Sequence, residues 1–273
     1  MKIFCSYAEI EHSKPERVRS IEHPFLFEPP FSFENRTWEK GEEITLGLTI
    51  FGDWLEYLPC FIVSFNEMED FRIGPAKGHL LFKAAYLNNP PQENPMIYDA
   101  GTGEFRPECI KPIKFSDIRL AEKISKSSKL KITFLSPVRI IDNDKPLYLE
   151  KLGFLTLLRS IWRRYGELVT FYSKVCNYQS VADEVSIRKL IEEARDIKTV
   201  SIKPSSFNKN NEFWYDVERH SERQKREMKL GGFLVEIVFE GDFSDFIPVL
   251  IIGQYIHAGK NSIFGFGKYE IST

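Results

Sequence analysis

The sequence predicts an α+β fold built from two tandem halves of one plan. Three observations carry that expectation. At one constant offset, Gly52-Asp-Trp-Leu-Glu-Tyr-Leu-Pro59 lines up with Gly241-Asp-Phe-Ser-Asp-Phe-Ile-Pro248, and the same offset pairs Gly78 with Gly267. The flanking patterns agree too: strand, Gly-Asp turn, helix, Gly-containing loop, strand. The second half, read by hydrophobic period, runs strand, helix, inserted helix, strand, strand, helix, strand, which is the order of a ferredoxin-like (RRM-like) unit with one helix added. A chain of 273 residues and 31.9 kDa has room for two such domains.

In the first half, strands are expected at Pro24 to Glu28 and Glu43 to Phe51, the latter bounded by Lys40-Gly41 and Gly52-Asp53. From Leu55 to Phe71 the residues Leu55, Leu58, Ile62, Phe65 and Met68 recur every three or four positions, so they share one helical face. Gly74-Pro75 ends that helix, and Gly78 to Leu87 reads as a strand. Residues 88–112 are dense in proline and contain Gly101-Thr-Gly103, which predicts a loop or hairpin. The domain boundary is placed near residue 128, giving domains 1–128 and 129–273.

Leu130 to Ile141 then reads as a strand. Phe154 to Tyr172 is a helix with Leu155, Leu158, Ile161, Trp162, Tyr165, Leu168 and Val169 spaced for burial, and Val185 to Arg195 is a shorter one. Thr199 to Lys203 and Glu212 to Arg219 are extended, and Gly232 to Glu240 alternates as a strand. Phe246 to Ala258 is an apolar helix, and Ser262 to Ser272 closes the chain as a strand. On this reading the first half offers only three strands and one helix. It lacks the opening strand and helix of its unit, so Met1 is expected to be a late start, or the domain to be completed by another copy or another polypeptide.

Composition narrows the function. Hydrophobic residues make up 42% and charged residues 28%, which excludes a disordered or fibrous chain. Lys plus Arg total 37 against 39 acids, a net charge of -2, so a globally basic nucleic-acid binder is excluded while a local basic patch is not. Cys5, Cys60, Cys109 and Cys176 form no C-x-x-C pair, which predicts reduced thiols in a cytoplasmic protein. No secretory signal or membrane-spanning run is expected.

Two segments carry candidate chemistry. His257-Ala-Gly-Lys-Asn-Ser-Ile-Phe-Gly-Phe-Gly267 joins the apolar helix to the last strand. Its glycines suit a close backbone approach or an anion-binding concavity, yet the order is not that of a Walker loop, and a purely structural turn is about as good a reading. Arg219-His-Ser-Glu-Arg-Gln-Lys-Arg-Glu-Met-Lys229 has five basic and two acidic residues. Cations on a hairpin suit a phosphate backbone, although a solvated charged turn is the commoner outcome. Of His12, His23, His79, His220 and His257, no pair has metal-ligand spacing, so no metal site and no cofactor are expected. His257 ends an apolar helix, where the helix dipole favours the imidazolium and an acid role, with a capping role equally open.

These residues resemble a family. The run Trp214 to Gly232, then Glu240-Gly-Asp242, then Tyr255 to Gly267, together with His23-Pro-Phe25, Glu28-Pro-Pro30, Gly41-Glu42 and Tyr57-Leu-Pro-Cys-Phe61, resembles the CRISPR-associated endoribonucleases that process repeat RNA, within the repeat-associated mysterious protein superfamily. The resemblance implies two tandem ferredoxin-like domains. The first glycine of the family's Gly-hydrophobic-Gly signature is replaced here by His257, before Ala258-Gly259. It also implies metal-independent cleavage of CRISPR precursor RNA in its repeats, with 2′,3′-cyclic phosphate and 5′-hydroxyl ends. Candidate catalytic residues are His257, His23 and Lys260. Candidate RNA-binding residues are Arg219, Arg223, Lys225, Arg226, Lys229, Gly259, Gly265 and Gly267. Partners implied are CRISPR repeat RNA, with effector-complex subunits or a second copy as further candidates and no membrane. The alternative is a non-catalytic RNA-binding subunit of an effector complex.

Overall fold

The structure, a computed structural model, describes residues 22–31, 37–70, 72–73, 77–88, 95–112, 127–142, 145–173, 184–208, 210–221 and 226–273. The first half opens with strands β1 (Phe25–Glu28) and β2 (Gly47–Ile50), paired antiparallel with Phe25 opposite Ile50 and Glu28 opposite Gly47. A 3-10 turn, Gly52–Tyr57, leads into helix α1 (Leu58–Asn66), whose second residue, Pro59, sits where a missing N–H costs nothing. The stretch expected to be one helix from 55 to 71 is therefore a helix flanked by 3-10 turns. Two short pieces, β3 (Arg72–Ile73) and β4 (Gly78–His79), pair with each other. The expected strand from 78 to 87 is split, because β5 (Ala84–Tyr86) pairs instead with β6 (Met96–Asp99), which pairs in turn with β7 (Glu104–Phe105) around the Gly101 turn. Leu58, Ile62, Ile97 and Tyr98 form a small core here. The expected missing opening strand and helix concern residues 1–21, which lie outside the described residues.

The second half holds the main core. Strands β8 (Lys129–Phe134), β11 (Lys198–Pro204), β14 (Val235–Glu240) and β15 (Tyr269–Ser272) form an antiparallel sheet in the order β11-β14-β8-β15, the ferredoxin-like arrangement that the element order predicts. Register aligns Ile202, Ile237, Ile132 and Ile271 in one rung across all four strands. Alternation puts Leu130, Ile132, Phe134, Val235, Ile237, Phe239, Tyr269 and Ile271 on the buried face. Beyond β8, a two-residue hairpin of β9 (Ile141–Asp142) and β10 (Lys145–Pro146) replaces the continuation expected to Ile141.

Helix α2 (Phe154–Tyr172) covers that face, with Leu157, Leu158, Ile161 and Leu168 buried and Phe154 packed edge-on to Phe239 and Phe246. Helix α3 (Glu184–Asp196) packs on α2. Strands β12 (Trp214–Ser221) and β13 (Arg226–Phe233) form a long hairpin. Helix α4 (Ile247–Ile256) is apolar nearly all round, as a helix buried on several sides must be. Gly253 is what admits it: a Cβ there would lie 2.1 Å from the Tyr269 hydroxyl, which itself donates to the Leu250 carbonyl at 2.7 Å. Among the described residues no helix is long and apolar enough to cross a membrane.

Candidate functional site

The glycine-rich loop is built by close backbone approach. At the end of α4, His257 adopts φ 64 and ψ 163, and Ala258 N–H donates to the Gly267 carbonyl at 3.0 Å while Gly267 N–H donates to that of Pro137 at 2.9 Å. Gly267 has φ +74, and a Cβ on it would lie 1.8 Å from the Ala258 oxygen. Gly259, at φ +83, leaves 2.6 Å between such a Cβ and the Arg139 oxygen, and Gly265 leaves 2.9 Å to the Phe27 oxygen of β1. Lys260 is half-buried, and its N–H donates to the Arg139 carbonyl at 2.8 Å. The loop thus has the structural role that its glycines suggest, and it also touches the first half of the chain.

That contact carries a part-buried polar cluster. Glu28, at the end of β1, places Oε1 2.9 Å from His257 Nε2 and Oε2 2.9 Å from Lys268 Nζ. Burial alone would raise the Glu28 carboxyl, but hydrogen bonds from His257 and Lys268 outweigh it and hold it at about 2. The His257 ring is 0% exposed, and its Nδ1 lies 3.2 Å from the Phe266 carbonyl oxygen. Burial pushes the imidazole below the ordinary histidine value, against the Glu28 carboxylate and together with Lys268 and Arg164. Desolvation thus opposes the imidazolium that the helix end favours. Both ring nitrogens face acceptors, Glu28 Oε1 and the Phe266 carbonyl, so a neutral ring can donate to only one of them.

Arg164 joins the second candidate histidine to this seam. It sits on α2 only 2% exposed, with Nε donating to the Ile256 carbonyl at 2.6 Å and Nη1 bonded to Glu22. Its Nη2 has no hydrogen-bond partner among the described residues. Glu22 N–H donates to Glu167 at 3.3 Å. The adjoining His23 is exposed, with its ring 5.9 Å from that of Phe25, which stacks on Trp54. Partial desolvation lowers the His23 pKa; Glu22 opposes this and Arg164 adds to it. Arg164 lowers the pKa of His23 and of His257 alike, so its charge acts on both candidate histidines.

The basic candidates lie elsewhere. Arg219, Arg226 and Lys229 belong to the β12–β13 hairpin, facing Met228, Ser221 and Glu218 in register. Arg223 and Lys225 lie outside the described residues. The solvent face of the main sheet presents Lys131, Thr133, Glu236, Val238 and Glu270, a mixed-charge surface without an aromatic ring for base stacking. Cys60 and Cys109 are free thiols, and Cys5 and Cys176 lie outside the described residues. Among the described residues no group of three or more His, Cys, Asp or Glu side chains is placed to hold a metal ion.

Sequence reasoning missed Glu28, Lys268, Glu22 and Arg164 as members of the site. For Arg164 a signal existed: with Leu157, Ile161 and Leu168 it occupies the apolar stripe of α2, where a charge demands a buried partner. Glu28 stands in the Glu28-Pro-Pro30 motif of the resemblance, but nothing in the sequence points to its partners, which come from the far end of the chain.

Comparison with known proteins follows this geometry. A family model described as CRISPR-associated endoribonuclease Cas6 matches residues 132–269, and one described as an N-terminal domain matches residues 2–110. No curated protein matches the chain. A solved Cas6 product complex is similar at 12% identity and a TM-score of 0.53, over 91% of this chain and 82% of that one. Thermus thermophilus Cas6 is similar at 11% identity and a TM-score of 0.49, over 91% of this chain and 79% of that one. A chain of a partial Cas6-RT-Cas1–Cas2 complex is similar at 12% identity and a TM-score of 0.51, over 91% of this chain and 38% of that one. The first and third of these share the α+β fold described above.

Proposed function

The chain belongs to the CRISPR-associated endoribonuclease Cas6 family, and from that premise we propose that it cuts CRISPR precursor RNA within its repeats without a metal ion. The ribose 2′-hydroxyl attacks the neighbouring phosphorus, the bond to the 5′-oxygen breaks, and the ends are a 2′,3′-cyclic phosphate and a 5′-hydroxyl. One group must take the 2′-proton, another must supply a proton to the departing 5′-oxygen, and cations must offset the charge that gathers on phosphorus.

Of the two histidines, His23 is the one whose ring reaches solvent. Its lowered pKa enlarges the neutral fraction, which suits a base at neutral pH. The proposal gives His23 the proton transfer, Lys260 the charge on the phosphorane, and His257 the anchoring of the loop through Glu28. Arg219, Arg223, Lys225, Arg226 and Lys229 would hold the strand through its phosphates, beside the Gly259, Gly265 and Gly267 loop. On the same reading the chain divides near residue 128, works in the cytoplasm, and has effector-complex subunits or a second copy as partners.

The observation that carries the reading is the family match over 132–269, which contains the whole glycine loop. Its test is incubation of a labelled repeat RNA with the protein in EDTA, followed by analysis of the product ends. Cleavage to cyclic-phosphate ends is expected. RNA retention with no cleavage would favour the subunit reading instead, and cleavage only with added divalent metal would overturn the metal-independent mechanism.

A further inference from the structure

Seven basic side chains surround the glycine loop, and the structure separates them into two sets. Three are held within the seam: His257 and Lys268 by Glu28, and Arg164 by Glu22. The other four, Arg139, Arg159, Arg163 and Lys260, have no ion-pair partner among the described residues. Two backbone bonds tie them to one place. Gly259 N–H donates to Ser160 Oγ on α2 at 2.9 Å, which sets the loop beside Arg159 and Arg163. Lys260 N–H donates to the Arg139 carbonyl at 2.8 Å, which sets Arg139 on the loop's other flank.

We infer that the outer edge of α2 is a second phosphate-binding track, in which Arg159 and Arg163 continue the line begun by Lys260 and Arg139 and hold the sugar-phosphate backbone of an RNA strand leaving the glycine loop. Arg159 is exposed and Arg163 half-buried, so both heads are available to solvent. They stand one turn apart on the helix, about 6 Å along its axis, so they address separate phosphates of a strand. Glu167, one turn further on, already accepts the Glu22 N–H, and it ends the track with a repelling charge. In a chain whose net charge is -2, such a run makes polyanion affinity local rather than general. The track is distinct from the β12–β13 hairpin, and it rests on the proposed RNA-processing function.

The test compares the wild-type chain with an Arg159→Gln/Arg163→Gln variant. Dissociation constants for a fluorescein-labelled oligouridine and for a labelled stem-loop RNA are measured across a salt series. Loss of two phosphate contacts lowers the slope of log affinity against log salt by about 1.4 for the single strand and weakens low-salt binding by roughly tenfold or more. The Arg159→Lys/Arg163→Lys variant keeps the wild-type slope. Where the double variant melts early, Arg159→Gln alone, at an exposed site, gives half the change. RNA retention by the wild type with an unchanged slope in the variants would overturn the track alone. Failure of the wild-type chain to hold either RNA would overturn the RNA reading on which the track rests.

Discussion

The Glu28 carboxylate lies 2.9 Å from His257 Nε2 although the two residues are 229 apart in sequence. The first strand of one half thereby locks the end of the last helix of the other, and the same carboxylate takes Lys268 from just before the final strand. Removing it strands a buried imidazole and an ammonium together. Glu28→Ala is expected to cost about 3 kcal/mol in thermal denaturation, as for a broken buried pair. Glu28→Gln, which can still accept from Nε2–H, should cost less. Equal losses in both variants would show that the charge matters little.

Acid should unfold the protein early. Glu28 titrates at about 2 when folded against 4.5 when free, so its stabilisation is complete above pH 4.5 and is lost as pH falls toward 2. That shift corresponds to about 3 kcal/mol. His257 acts in the same direction: its folded pKa is lowered, so below pH 6.5 the unfolded chain takes up the proton first and stability falls. Urea midpoints measured from pH 7 to 3 should decline throughout, and Glu28→Gln should flatten the lower limb. A midpoint constant down to pH 4 would contradict this.

Arg164→Ala should be among the most damaging substitutions in α2. It leaves Glu22 without its partner and the Ile256 carbonyl without a donor, at a cost of about 3–5 kcal/mol by chemical denaturation. Arg164→Met with Glu22→Gln, which removes both charges, should recover much of that loss. No recovery would mean that the guanidinium is needed for its shape and its bond to Ile256.

Two glycines with similar backbones should respond differently. Gly103 has φ +71 with nothing within 4 Å of a Cβ, so Gly103→Ala costs only the left-handed strain, about 1 kcal/mol. Gly267, at φ +74, would place the methyl 1.8 Å from the Ala258 oxygen. Gly267→Ala should therefore cost several times more, or displace the loop and weaken RNA binding. Similar melting temperatures for the two variants would rule out the packed loop.

The sequence reads well where one element settles its own burial. Helix α2 follows from its apolar spacing, which places it at 154 to 172, and the repeat offset carries the start of α4 at Ile247 onto the start of α1 at Leu58. The split of 78 to 87 into β4 and β5 was not legible, because a short apolar run takes its pairing from partners elsewhere in the chain. The site was half legible. Glycines and His257 mark the loop in the sequence, but burial opposes the protonation that the helix end alone suggests, and the Glu28 and Arg164 pairings depend on contacts across the seam.

The most direct measurement is the single-turnover cleavage rate of a labelled repeat RNA, in EDTA, by the wild-type chain and by His23→Ala. Loss of a proton-transfer group predicts a fall of roughly 100-fold to 10,000-fold with RNA affinity unchanged, since His23 is exposed. Cleavage by His23→Ala at the wild-type rate would contradict the placement of the proton transfer at this seam.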